Sequence, residues 1–328
     1  MRLWHFVPQH REGAWLGEGC ALPRPPLLHL GCMGLWVIMR CEMAGAGNGE
    51  LRFGGMEGME GMDAYRVGRY YDERPEQEWE RLDLHRTEFA VTMRALSDYM
   101  PPPPSRVLDV GGGPGRYAVE LARQRYEVTL LDMSRRMLDY AELKAEEAGV
   151  RLAGCVQANA MDLSLFPDGS YDAVLLMGPL YHLLRPKDRR RCVQEAGRVL
   201  KPGGVVFASF ITRYTPIRYW AKHDPMWVIQ NPRRNEEILV TGLNIAPAGF
   251  TDSYFAHPSE VAPLMEHGGF EKLDLIACEG VISMIEEKVN QLTDEPWQIW
   301  VEMNYQLGKD PLVHGCAEHL LYVGRRWT

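Results

Sequence analysis

The stretch from Arg106 to Arg116, reading Arg-Val-Leu-Asp-Val-Gly-Gly-Gly-Pro-Gly-Arg, constrains the fold more than any other part of the chain. Val107, Leu108 and Val110 form a short apolar run that reads as a buried strand. The run enters glycines at 111, 113 and 115, where a backbone without Cβ atoms can turn tightly and admit a ligand at close range. Ala118, Leu121 and Ala122 then recur at helical spacing. Strand, glycine turn and helix N-terminus together make a cradle of free backbone N–H groups, as at the nucleotide sites of open α/β sheets. The dinucleotide version needs a third glycine three residues after the second, for close helix–strand packing, and that residue here is Arg116. Asp109 sits at the strand end within D-x-G-x-G-x-G. A carboxylate there repels a pyrophosphate but can hold an amino group, directly or through water.

Further landmarks follow in order. A second strand, Glu127 to Leu131, ends in Asp132, one helix plus one strand beyond the glycine loop. A third, near Leu152 to Gln157, runs into Ala158-Asn159-Ala160-Met161-Asp162. Phe166 to Val174 leads into a fourth strand, which is followed by Met177-Gly178-Pro179-Leu180-Tyr181-His182. Arg198-Val199-Leu200-Lys201-Pro202-Gly203-Gly204 stops a helix and opens a fifth strand, Val205 to Phe210. A sixth is expected over Lys272 to Ala277 and a terminal one at His319 to Val323. Asp132 can also serve as a helix N-cap, since Ser134 and an amphipathic run to Ala148 follow it. Asn159 can equally be a turn residue.

From about Arg106 to Gly204 these landmarks resemble the seven-strand, Rossmann-like class I of S-adenosylmethionine-dependent methyltransferases. The resemblance implies an α/β fold: a doubly wound, mostly parallel seven-strand sheet with helical lid insertions. It implies S-adenosyl-L-methionine as cofactor, with Asp132 on the ribose hydroxyls and Asn159 with the Ala160 N–H reading adenine. The implied cofactor set also includes Asp109, Gly111, Gly113, Gly115, Met133 and Met177. The nearest resemblance is to the broad small-molecule group that contains the ubiquinone and menaquinone methyltransferases, whose adenine turn also tolerates Ala-Asn-Ala. The pattern after strand four differs from theirs and the insertions are longer, so quinone specificity does not carry over. Nor does that loop match the Asn/Asp-Pro-Pro-Tyr arrangement of enzymes that methylate adenine or glutamine amino groups.

Methyl transfer from a sulfonium is an in-line displacement, so placement and exclusion of water do most of the catalysis. A base is needed only where the attacking atom carries a proton. His182 is the candidate catalytic residue, with a structural histidine bonded to a loop carbonyl as the alternative. Tyr70, Tyr71, Tyr181, His182, Tyr214 and Trp220 are the candidate substrate residues, and His223, Asp224 and His257 are further candidates for proton transfer. The resemblance places Tyr70 or Tyr71 over the donor pocket; packing within their own helix is the alternative. Aromatic residues crowd two insertions, about 211–256 (including Trp227, Phe250 and Phe255) and about 281–314 (Trp297, Trp300 and Tyr305). They read as an apolar lid or as a satellite core under a helical cap. The expected function is methylation of a small, apolar or aromatic acceptor. The alternative is a non-catalytic S-adenosylmethionine-binding regulatory or assembly protein, whose lid would be sealed by side chains. Arg116 argues against a dinucleotide oxidoreductase.

A formal net charge of −8 disfavours nucleic acid as a partner, because phosphate binding needs a basic surface. The basic run Arg185 to Arg191 reads as the solvated side of a helix whose apolar face is Cys192, Val193, Ala196, Val199 and Leu200. The seven cysteines include no C-x-x-C pair, and Cys155, Cys192, Cys278 and Cys316 read as small buried hydrophobes of a reducing, cytoplasmic protein. His314, Cys316 and His319 lack a fourth ligand, so no metal is expected. Residues 1–61 show no sustained period and are expected to be a disordered or spurious extension, with Met56, Met59 and Met62 marking later starts. A signal peptide cleaved near Ala44-Gly45-Ala46 is the alternative reading. The apolar run Leu27 to Met39 is too short to span a bilayer, and no membrane partner is expected. Residues 62–104 are expected to hold a helical segment, with Pro75 opening a helix to Tyr99, and a spacer of Pro101 to Pro104. The domain proper is expected over 105–328.

Overall fold

The structure, a computed structural model, describes residues 62–245 and 251–328. The expected N-terminal extension and Phe250 lie outside the described residues. The strands are β1 (Arg106–Val110), β2 (Glu127–Asp132), β3 (Gly154–Gln157), β4 (Tyr171–Leu176), β5 (Leu200–Ile211), β6 (Leu243–Asn244), β7 (Ser253–Tyr254), β8 (Phe270–Ala277) and β9 (His319–Arg326). Seven form one sheet in the order β3-β2-β1-β4-β5-β9-β8. Pairing from β3 through to β5 is parallel, and β9 runs antiparallel to both β5 and β8. This is the mostly parallel, doubly wound arrangement implied by the sequence, with its switch point between β1 and β4.

Alternating side chains serve opposite faces of the sheet, as a strand period of two requires. On one face Val107, Val128, Leu130, Leu175 and Phe207 pack with the helices Arg86–Tyr99, Arg116–Arg123, Arg135–Glu147 and Asp294–Gly308. On the other, Leu108, Leu131, Val174, Val206 and Tyr322 meet the helices Pro186–Val199 and Pro258–His267. The second insertion belongs to the first of these layers, since Trp297, Val301 and Tyr305 are buried in it. Burial of each such large side chain contributes about 1.5–3 kcal/mol.

Several local details depart from the sequence reading. The helix expected from Pro75 to Tyr99 is two helices, Pro75–Leu84 and Arg86–Tyr99, broken at His85. Strand β5 begins at Leu200, not Val205. It pairs Leu200 with Tyr171 and then Val205 with Ala173, so Lys201 to Gly204 bulge out where Gly203 adopts φ +76°. The cap of helix Arg135–Glu147 is Ser134, whose Oγ accepts from Met137 N at 3.1 Å; Asp132 instead accepts from Ser134 N. The basic run is not uniformly solvated. Arg189 is buried against the ring of Tyr254, 3.5 Å away, and donates to the carbonyls of Leu183 and Leu184, while Arg190 and Arg191 stay exposed. Burying that guanidinium is tolerable because those otherwise unpaired loop carbonyls satisfy it. Of the four described cysteines Cys192 and Cys278 are buried and Cys155 half-buried, but Cys316 is exposed, because it precedes β9 in a short surface turn. No helix among the described residues is long and apolar enough to cross a membrane.

Candidate active site

The carboxyl ends of β1, β2 and β4 open onto one cavity of about 200 Å³. Gly111, Gly113 and Gly115 all have positive φ, +65°, +56° and +79°, as a tight left-handed turn demands. Their roles differ. A Cβ on Gly113 would meet no protein atom within 4 Å, and Gly113 lines the cavity. A Cβ on Gly111 would strike Pro179 Cγ at 2.6 Å, so the loop after β1 is pressed against the loop after β4. A Cβ on Gly115 would lie 2.9 Å from the Ala141 Cβ. Gly115 lies off the cavity wall, and the sequence reading of it as a ligand residue gives way to close helix packing.

Asp109 is fully buried beneath the loop, not on the cavity wall, and its carboxylate crowds the space a Gly112 Cβ would need. Neither of its oxygens has a hydrogen-bond partner. Burial, with the charge of Asp132 nearby, pushes its pKa up to about 7. Asp132 lines the cavity and fixes the loop: Oδ2 accepts from Gly113 N at 2.9 Å and Oδ1 from Ser134 N at 2.9 Å. Burial raises its pKa, against the opposing pull of those backbone N–H groups. Met133, Asn159, Ala160 and Met177 also line the cavity. Asn159 makes a turn as well, its Oδ1 accepting from Met161 N at 2.9 Å.

A hydroxyl–imidazole–hydroxyl chain also borders the cavity. His182 closes the short helix Pro179–His182, with Nε2 at 2.8 Å from Tyr71 Oη and Nδ1 at 3.0 Å from Thr251 Oγ1. Burial lowers its pKa to about 3, so the ring is neutral at physiological pH, and burial raises that of Tyr71. Tyr181 lines the cavity too, and its hydroxyl donates to Met177 O at 3.3 Å. Tyr70 packs edge-on against Tyr71 at 5.1 Å under the Arg74 guanidinium and lies off the cavity wall. Tyr214 faces the His257 ring at 5.9 Å and lines neither this cavity nor its neighbour, whereas Trp220 lines the neighbour. These placements follow from helix geometry, in which adjacent residues face different ways. Asp224 and His257 are occupied as helix caps, and His223 stacks on Tyr219 at 4.3 Å, away from the cavity wall.

An ion network at the far wall was not legible in the sequence. Arg81 donates to both oxygens of Glu88, at 2.6 and 3.2 Å, and His319 Nδ1 lies 2.6 Å from Glu279 Oε1. Burial opposes ionisation of both Glu88 and His319. Arg81 and His319 nevertheless bring Glu88 down to about 2, while Glu88 and Glu279 raise His319 to about 9. The ligand atoms of Glu88, Glu279 and His319 lie within 4.8 Å of one another, a spacing a metal ion would accept. An imidazolium is no metal ligand, however, and Arg81 already holds Glu88 in a bidentate pair. His314, the other histidine in the sequence-based triplet, is bonded to Leu275 O at 2.8 Å.

The chain fits S-adenosylmethionine on its own geometry. The open space above Gly113 and the acidic end of β2 suit an adenosine, not a diphosphate. Comparison with known proteins agrees. Residues 107–204 match the model of a methyltransferase domain family. That match marks a methyltransferase domain within the chain, on a sheet of the Rossmann-like order. Among named relatives, the chain is 34% identical over 129 residues to a ubiquinone biosynthesis O-methyltransferase of Xanthomonas axonopodis pv. citri, covering 39% of this chain and 52% of that protein. It is 29% identical over 187 residues to that of Xylella fastidiosa, covering 56% and 68%. The chain thus spans about half the length of the first of these relatives. A crystal structure of geranyl diphosphate C-methyltransferase from Streptomyces coelicolor A3(2), in complex with Mg2+, geranyl diphosphate and S-adenosyl-L-homocysteine, superposes with a TM-score of 0.50 at 18% identity. The superposition covers 81% of this chain and 98% of that one, a likeness of fold.

Proposed function

We propose that this chain methylates a small apolar or aromatic acceptor that bears a hydroxyl group, in the reducing environment of the cytoplasm. The observation that carries the reading is one cavity lined by Gly113 and Asp132 and also by Tyr71 and His182. When bound, S-adenosylmethionine supplies an electrophilic methyl group. In this reading the N–H groups of the glycine loop and the Asp132 carboxylate hold it at the ribose end, with Asn159 and Ala160 at the base.

The acceptor is held between Tyr181 and the Tyr71–His182 pair. As a hydroxyl oxygen gains a third bond its proton becomes strongly acidic, so even a weak base suffices to remove it. Tyr71 Oη can take that proton while passing its own to His182 Nε2. Thr251 Oγ1 then accepts from Nδ1–H and supports the imidazolium so formed. The cavity remains open to a ligand, whereas the regulatory alternative requires a lid sealed by side chains. Calorimetry with S-adenosylhomocysteine tests the donor site. Mass spectrometry of phenols incubated with S-adenosylmethionine and the chain tests transfer, as a gain of one CH2 unit. Absence of S-adenosylhomocysteine binding refutes the reading.

A further inference from the structure

Beside the main cavity lies a second chamber of about 40 Å³, and Arg81, Ile211 and His319 form a wall shared by both. Pro216, Trp220, Trp227, Ile238 and Phe255 give it an apolar lining, with the two tryptophan rings stacked at 4.4 Å. Two N–H donors from residues of this lining, Trp220 Nε1 and Arg234 Nε, are buried and have no acceptor. Such orphaned donors are unfavourable, and each calls for a partner that the protein alone does not supply.

Two charged residues of the chamber lining, Arg234 and Glu318, have no ion pair among the described residues, and the other charges are paired. Arg81 is paired with Glu88, His85 with Glu286 and His319 with Glu279. Burial pushes Glu318 above the usual carboxylate range, reinforced by Glu279 beside it. Arg234 has only a neutral partner, Asn244 Oδ1 at 2.9 Å, and no carboxylate at ion-pair distance among the described residues. Its guanidinium is held 5.7 Å from the Trp227 ring. A planar cation with a buried, unpartnered Nε–H and an unpartnered indole N–H in the same largely apolar lining match the two oxygens of a carboxylate on an apolar body. The volume suits such a group, since a single water needs about 10–15 Å³ on the same measure.

We propose that this chamber is a subsite of the acceptor pocket that binds the carboxylate of an apolar organic acid, with Arg234 and Trp220 as the recognising residues. The inference rests on the methyltransferase reading and narrows its acceptor to acidic molecules. The test uses the full chain saturated with S-adenosylhomocysteine, titrated by calorimetry with benzoate and with its neutral isostere benzamide. Benzoate is expected to bind about tenfold or more tightly than benzamide, the scale of a charge-assisted contact. Arg234→Met and Trp220→Phe are each expected to weaken benzoate about fivefold or more, with Arg234→Lys intermediate, while S-adenosylhomocysteine affinity stays within about twofold. That last measurement also reports that the variants fold. Equal affinities for benzoate and benzamide, no binding of either, or a preference that survives Arg234→Met overturns the subsite while leaving the donor site standing. Failure of S-adenosylhomocysteine to bind the unaltered chain overturns the broader reading instead, and the subsite with it.

Discussion

Gly113 and Gly115 share a left-handed backbone, yet a side chain at each would meet different surroundings, which separates binding from stability. Substituting alanine at either position incurs left-handed strain of about 1–2 kcal/mol. At Gly113 the new Cβ meets nothing within 4 Å, so the strain is the whole penalty. At Gly115 it meets Ala141 Cβ at 2.9 Å and Leu130 Cδ2 at 3.3 Å, both on elements fixed in the core. Overpacking of that kind adds about 1–3 kcal/mol, for a total of about 2–5 kcal/mol. Urea unfolding should therefore rank Gly115→Ala well below Gly113→Ala in stability. Calorimetry should give the opposite order for S-adenosylhomocysteine. Gly113→Val fills the space over the loop and should lose about a hundredfold or more in affinity, near 2.7 kcal/mol, whereas Gly115→Ala keeps its affinity wherever it remains folded. Equal destabilisation by the two alanines would refute the packing argument. A Gly113→Val variant with unchanged affinity would refute the placement of the ligand over the loop.

Asp132→Ala should weaken S-adenosylhomocysteine about tenfold to a hundredfold, because the carboxylate anchors both Gly113 N and Ser134 N and, in the proposed complex, the ribose; unchanged affinity in calorimetry would remove it from that role. His319, raised from its ordinary 6.5 to about 9, stabilises the fold fully below pH 6.5 and loses that contribution as pH rises through 9. Its ceiling is about 3 kcal/mol, so urea midpoints should fall between pH 6.5 and 9 and do so much less in His319→Gln. His182, neutral down to about pH 3, should leave no inflection near its ordinary pKa of 6.5 in the pH dependence of kcat/KM, and His182→Gln should slow transfer without weakening S-adenosylhomocysteine. An inflection near 6.5 that disappears in His182→Gln would count against the buried, hydroxyl-bonded ring.

What was legible in the sequence was local. The approach of β1 to its glycine loop and the acidic end of β2 are spelled out within a few residues each, and strand period and turn chemistry are enough to find them. The cavity's far wall is assembled from distant parts. Arg81 and Glu88 flank a helix break at His85, Glu279 follows β8 and His319 opens β9, so no local period connects them. Tyr70 and Tyr71 are neighbours in sequence, and only packing decides which reaches His182. Thr251, the second hydroxyl on that imidazole, arrives from an insertion about seventy positions away, a separation that spacing rules do not bridge. Arg189 was obscured by the basic residues around it; its burial depends on the loop carbonyls of Leu183 and Leu184 and on the ring of Tyr254.

Strand β9 comes after every other strand in the chain yet occupies an interior place between β5 and β8. During synthesis, β5 and β8 therefore emerge and wait, each with an unsatisfied edge of the kind that recruits foreign strands. Nascent molecules depend on prompt arrival of their final ribbon, or on a holding chaperone, to avoid clumping. Variants that weaken β9 should reveal themselves as poor soluble yield long before any defect in turnover is measured.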